Sequence, residues 1–249
     1  HAGRFAWTLS SSGVHRPAEA PLYATTYERV FGLTEWALPA GGRPAFERYD
    51  QVRAVGGAGV IPLILFSAGR RDRATGWTQA RALWKALQEA RQPHVFSWGR
   101  QGEGQKALPP GGEAEGWPWL VTLRAGSSLP AFSNGSLDDA PGSGDPKDGD
   151  PEGQSNGHLL WDPEVVDLPG RWEATLRLAV AAPRDEAQVD VTPRRCARFR
   201  GAGVTWKALS PQGRPLQSGS VRSDAQGVVT IPRVNVTRDG IRLILENQP

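Results

Sequence analysis

Hydrophobic and polar positions fall into two patterns that meet near the middle of the chain. In the first part, "RFAWTLSSSG" is an apolar run that ends in small polar residues and predicts a strand. "AFERYDQVRAV" sets Phe46, Tyr49, Val52 and Val55 at helical spacing and predicts a short amphipathic helix. "VIPLILFSAGRRD" is almost continuously apolar, the mark of a strand buried on both faces, and ends at Gly69 shortly before Asp72. "GWTQARALWKALQEARQ" repeats Trp77, Ala80, Trp84 and Leu87 at intervals of three or four and predicts a helix, after which "PHVFSWG" reads as another buried strand. Strand, acidic loop, helix, strand makes a βαβ unit, which implies parallel strands and a right-handed crossover. Ligands of parallel sheets lie at the carboxyl ends of the strands, where Asp72 and Glu103 both fall.

The second pattern is strict punctuation. "RWEATLRLAV", "AQVDVTPRRCARF", "GVTWKALS", "GVVTIPRVNVT" and "GIRLILEN" are strand-length segments parted by turn residues, which predicts an antiparallel β-sandwich. Between the two lies "SNGSLDDAPGSGDPKDGDPEGQSNG", rich in Gly, Pro and Asp and nearly without apolar side chains. The expected organisation is therefore an α/β domain over residues 1–130, an acidic loop or linker over 131–160, and an all-β sandwich over 161–249.

Composition changes this picture little. Thirty Gly, 21 Pro and ten Trp oppose an all-helical fold. The net charge of +3 is scattered in both signs, so no basic stripe marks a nucleic-acid partner. One cysteine, Cys196, excludes an internal disulfide, and no apolar run has the length of a membrane span. The start "HAGRFAW", without Met or a signal-like segment, reads as a processed or truncated product, and the excess of Arg over Lys resembles a bacterial source.

In "LFSAGRRDRATGWTQARALWKALQEARQPHVFSWGRQGEGQ" the chain resembles the last third of an α/β-hydrolase: an acid after one strand, a Trp-led helix, then a "WG" strand end with a Gly-rich loop. The resemblance covers roughly residues 1 to 108 and implies a partial parallel sheet with helices, ancestrally an esterase or peptidase of the Ser-Asp-His type. Asp72 then matches the triad acid and Glu103 the position of the base. A carboxylate is a poor substitute for imidazole in proton transfer near neutral pH, and no Gly-x-Ser-x-Gly lies before Asp72, where the order Ser, Asp, His demands it. The implied protein is a truncated, weakly active or inactive hydrolase, which would oligomerise or pair with a missing N-terminal half to cover its open sheet.

Other readings of the same residues stand beside this one. Asp72 also suits a turn or helix cap, and Glu103 a solvated loop tip. His15, His94 and His158 are the remaining candidate bases. Asp145, Asp148 and Asp150 could supply oxygens to calcium, though without the alternate-residue spacing of an EF-hand, and a solvated loop is the competing reading; no other cofactor is indicated. Trp117 and Trp119 flank a Pro in "EGWPWLV" and are candidates for a sugar-binding surface, which leaves a non-catalytic, carbohydrate-binding module as the alternative to hydrolysis of a small ester, peptide or saccharide.

Overall fold

A computed structural model describes residues 7–11, 15–16, 50–57, 61–72, 76–99, 120, 123–143, 145, 147–194, 199 and 203–248. Among them are thirteen strands and two helices. Parallel strands are confined to the start of the chain. β1 (Trp7–Ser11), β2 (Leu63–Gly69) and β3 (His94–Gly99) run side by side in parallel, with Leu9 opposite Leu65 and Leu65 opposite Val95. The helices α1 (Gln51–Gly57) and α2 (Trp77–Glu89) serve this sheet. Asp50 caps α1, its carboxylate accepting the Arg53 N–H at 3.0 Å, while α2 starts from Gly76 without a side-chain cap.

The expected α/β-hydrolase-like parallel sheet is overturned by the pairing pattern: among the described residues, two of the ten strand pairings are parallel. A parallel sheet grows only by crossovers, and the next strand to join β3 arrives antiparallel: β5 (Gly153–Ser155), with Phe96 opposite Ser155. Everything after it pairs antiparallel. The protein is predominantly β, with the parallel strands as a minor part.

Two antiparallel sheets follow. One orders β11 (Pro215–Arg222), β10 (Gly203–Leu209), β13 (Ile241–Asn247), β8 (Arg171–Leu178) and β6 (Leu159–Trp161), with β7 (Val166–Leu168) also on β8. The other orders β12 (Ile231–Thr237), β9 (Glu186–Arg194) and β4 (Leu129–Ser133). The stretch 131–160 thus contains β5, most of β4 and the start of β6 as well as an ordered loop. Alternation along β8 buries Trp172, Ala174, Leu176 and Leu178 against Val189 and Val191 of β9, Val234 and Val236 of β12, and Leu243 and Leu245 of β13.

One face of the parallel sheet joins the same core. Leu63, Leu65 and Val95 cluster with the sandwich interior, whereas Phe66, Ala68, Phe96 and Trp98 turn the other way onto Trp77, Ala80, Leu83 and Leu87 of α2. Alternate residues of β2 and β3 therefore serve two cores. This explains why the run is almost wholly apolar, Ser67 apart: a strand covered on both faces leaves few positions for a polar side chain.

Candidate functional site

Because β1, β2 and β3 are parallel, their carboxyl ends at Ser11, Gly69 and Gly99 share one edge. The chain leaves β2 through Arg70 and returns as α2, whose first turn stands at that edge. Aromatic rings pack beneath this edge. Phe66 stacks on Phe96 with centroids 4.4 Å apart, Phe96 meets Trp98 at 5.1 Å, and Trp77 lies 5.8 Å from Phe96 and 6.0 Å from Trp98. Ser67 and Ser97 alternate with these rings and take the opposite face of the sheet; Ser67 is buried, and the buried Oγ of Ser97 has no partner.

His15, four residues beyond β1, is 1 % exposed and set edge-on to Phe66 at 5.9 Å. Its Nδ1 faces Gln51 Oε1 at 2.9 Å, and its Nε2 is buried with no partner. Gln79, in the first turn of α2, accepts the N–H groups of His15 at 3.1 Å and Arg16 at 3.0 Å through one oxygen, while its Nε2 is buried and unpaired. Arg16 reaches Asp50 at 3.3 Å, and Gln51 N–H donates to the His15 carbonyl at 2.9 Å, so this turn is tied to the starts of both helices. Burial holds the His15 imidazole below its ordinary pKa, the hydrogen bond to Gln51 opposing in part, so the ring is neutral at neutral pH.

The described residues of the acidic stretch form a strap across this edge. The Arg70 guanidinium is 4 % exposed and donates to the carbonyls of Pro141 at 3.4 Å, Asp150 at 3.0 Å, Asp145 at 3.2 Å and Asp148, with its other side 4.9 Å over the Trp77 ring. Trp98 Nε1 donates to the Asp150 carbonyl at 2.9 Å, and Arg81 donates to that of Gly142. Gly142 and Gly149, at φ of 74° and 71°, cross so closely that a Cβ on Gly149 would lie 2.5 Å from Gly142 N.

The strap's carboxylates are consumed internally. Asp148 accepts the Ser143 N–H at 3.0 Å on both oxygens, Asp145 that of Lys147 at 2.8 Å, and Asp150 that of Ala140 at 2.8 Å. The Ser143 hydrogen bonds, with Arg70 and Arg81 further off, hold the Asp148 carboxyl below its usual range. The three candidate calcium ligands therefore face their own backbone, and the carbonyls beside them surround a guanidinium. Among the described residues no group of three or more His, Cys, Asp or Glu is arranged to hold a metal.

Asp72 ends the turn after β2, its N–H donating to the Gly69 carbonyl at 3.1 Å, and is 6 % exposed, at the same edge as Arg70. Gly76, not Asp72, occupies the cap of α2. Glu103, Trp117 and Trp119 lie outside the described residues, so the pairing of Asp72 with Glu103 has no geometry. His94 is inside the sheet junction: Nδ1 meets the Gln92 carbonyl at 2.7 Å, Nε2 is 3.3 Å from Asn156 Nδ2, and burial lowers its pKa to about 4. His158 is likewise lowered by burial. Arg70 carries no sequence signal, since it looks like any basic loop residue. Asp138, at the start of the acidic stretch, is half-buried and receives Asn156 N–H at 2.7 Å and Ser155 Oγ–H at 3.0 Å, with burial raising its pKa to about 6.

No family model matches the chain, and no curated protein matches it. Among solved structures, a GH39 enzyme from Xanthomonas axonopodis pv. citri shares 13 % identity over 80 % of this chain and 48 % of its own, with a TM-score of 0.23. A second structure, described as a glycoside hydrolase, shares 10 % identity over 98 % of this chain and 53 % of its own, with a TM-score of 0.19. The chain spans about half the length of either, and overlap at these scores establishes no common fold.

Proposed function

We propose that the carboxyl edge of β1, β2 and β3 is the substrate-holding part of a carbohydrate-related hydrolase, with the sandwich as its rigid support. The observation that carries this reading is the strap: Arg70, Arg81 and Trp98 fasten residues 141–143, 145 and 147–150 over the edge where, among the described residues, the parallel strands end. Aromatic rings packed under this edge, with the buried imidazole of His15 and amide of Gln79 beside them, supply the mixed apolar and polar surroundings that suit a polyhydroxylated ring. Ester or peptide hydrolysis by a serine nucleophile has less support: the Gly-x-Ser-x-Gly match at Gly153–Gly157 follows Asp72 instead of preceding it, and its Ser155 is fully buried in β5, donating to Asp138 at 3.0 Å.

The test uses the whole chain with a panel of nitrophenyl glycosides, nitrophenyl acetate and short xylo- and gluco-oligosaccharides. Saccharide binding that changes tryptophan emission, with emission insensitive to the ester, is the expected result. Ester turnover without saccharide binding would overturn the reading. A second reading, saccharide binding on the sandwich, has one observation behind it: an open groove of about 620 Å³ lined by Ser136, Arg184, Asp185, Glu186, Gln188 and Asn235. It contains no aromatic ring. Backbone resonance shifts confined to those residues on adding saccharide would favour it.

A further inference from the structure

We propose that His15 Nε2 and Gln79 Nε2 form an acceptor and donor pair that binds a hydroxyl group of a ligand, with His15 held as a proton acceptor by Gln51. Both nitrogens are buried and unpartnered, and both residues meet in one network, the His15 N–H donating to the Gln79 side-chain oxygen at 3.1 Å. A hydroxyl donates once and accepts, so it satisfies one bare acceptor and one bare donor together.

The roles follow from the partners. Gln79 Oε1 takes two backbone N–H groups, which only an oxygen can do, so the amide nitrogen must be the unpaired end. Gln51 presents Oε1 to His15 Nδ1, and a carbonyl only accepts, so Nδ1 carries the proton. A neutral ring with Nδ1 protonated exposes a lone pair at Nε2. Left without partners in the interior, each group forfeits a hydrogen bond that water would have given it, and a bound hydroxyl restores both. The inference rests on the reading of this edge as a ligand site and names which side chains hold the ligand.

The discriminating change is Gln79→Glu, whose carboxylate still accepts both backbone N–H groups but has no donor to offer. His15→Phe, which keeps a ring against Phe66, removes the acceptor. Affinity for D-xylose and for glycerol is measured by titration of the whole chain, together with the ¹⁵N shift of His15 Nε2, and thermal unfolding checks that each variant folds. The expected result is an Nε2 shift on ligand addition and a loss of about tenfold or more in affinity for each variant, the equivalent of one hydrogen bond. Unchanged affinity in both folded variants would overturn the proposal and assign the two nitrogens to resident water, while leaving saccharide binding elsewhere on the edge intact. Glycerol binding without xylose binding would uphold the pair and remove the carbohydrate reading instead. No Nε2 shift with either probe would overturn the pair.

Discussion

β8 and β2 are both central strands, yet they use their side chains differently. β8 alternates: Trp172, Ala174, Leu176 and Leu178 go inward, and Arg171 and Glu173 go outward, where they ion-pair with each other at 2.7 Å and with Glu246 and Arg242 of β13. β2 is buried on both faces, and its carboxyl end is surrounded by polar atoms that lack partners, among them His15 Nε2, Gln79 Nε2 and Trp77 Nε1. The sandwich spends its polarity at the surface, where water satisfies it. The parallel edge keeps polarity inside, which stabilises nothing unless a ligand or water is bound.

The largest test of that contrast is Leu65→Ala. Leu65 is 1 % exposed and belongs to the sandwich core although it lies in the parallel sheet. The expected loss is about 2–5 kcal/mol in urea unfolding, in a single transition reported alike by helix and strand signals. Two separated transitions would show that the regions fold independently.

Next comes pH. Asp138 is more readily protonated folded than unfolded, so it favours the folded state below pH 4 and loses that advantage as pH rises through about 6, by about 3 kcal/mol for a shift of this size. His94 acts oppositely: its lowered pKa adds stability above pH 6.5, lost as pH falls toward 4. The two nearly cancel in the wild type. Asp138→Asn should uncover the histidine effect, giving urea midpoints that rise from pH 4.5 to 7 more steeply than in the wild type; parallel curves would refute the assignment.

Arg70→Ala should free the strap. Its carbonyls can turn to water, so the global loss is modest, about 2 kcal/mol, but proteolytic cleavage within 141–150 should accelerate severalfold and be slowed again by millimolar guanidinium ion, which can refill the carbonyl nest. Cleavage no faster than in the wild type would mean that Arg81 and Trp98 hold the strap without it. The smallest effect belongs to the sandwich surface. Arg171→Ala breaks ion pairs to Glu173 and Glu246 at sites a third or more exposed on the arginine side, and should cost under about 1 kcal/mol, falling further in high salt.

The periodic elements were legible because their patterns report local geometry. The three- and four-residue spacing of Trp77, Ala80 and Leu87 gave α2, and the turn-punctuated segments gave β8, β9, β10, β12 and β13. The almost wholly apolar run at Leu63–Gly69 announced a strand covered twice, but not what covers it: helix on one face, sandwich on the other. Asp72 lies just past the end of β2, where its place in the sequence puts it, whereas the burial of the Arg70 guanidinium and the hydrogen bonds of Asp138 to Ser155 and Asn156 have no periodic signal.

Sequence by itself determined which segments are strands or helices, since the side-chain period of two or of three to four is fixed by backbone geometry within a few residues. Only the tertiary structure decided that β5 joins β3 antiparallel and ends the parallel sheet, that the acidic stretch is a strap around a guanidinium instead of a calcium loop, and that His15, Gln51 and Gln79 meet. Those outcomes depend on contacts between residues up to 80 positions apart, as Arg70 and Asp150 are, and no local pattern encodes which distant backbone oxygen an arginine will find.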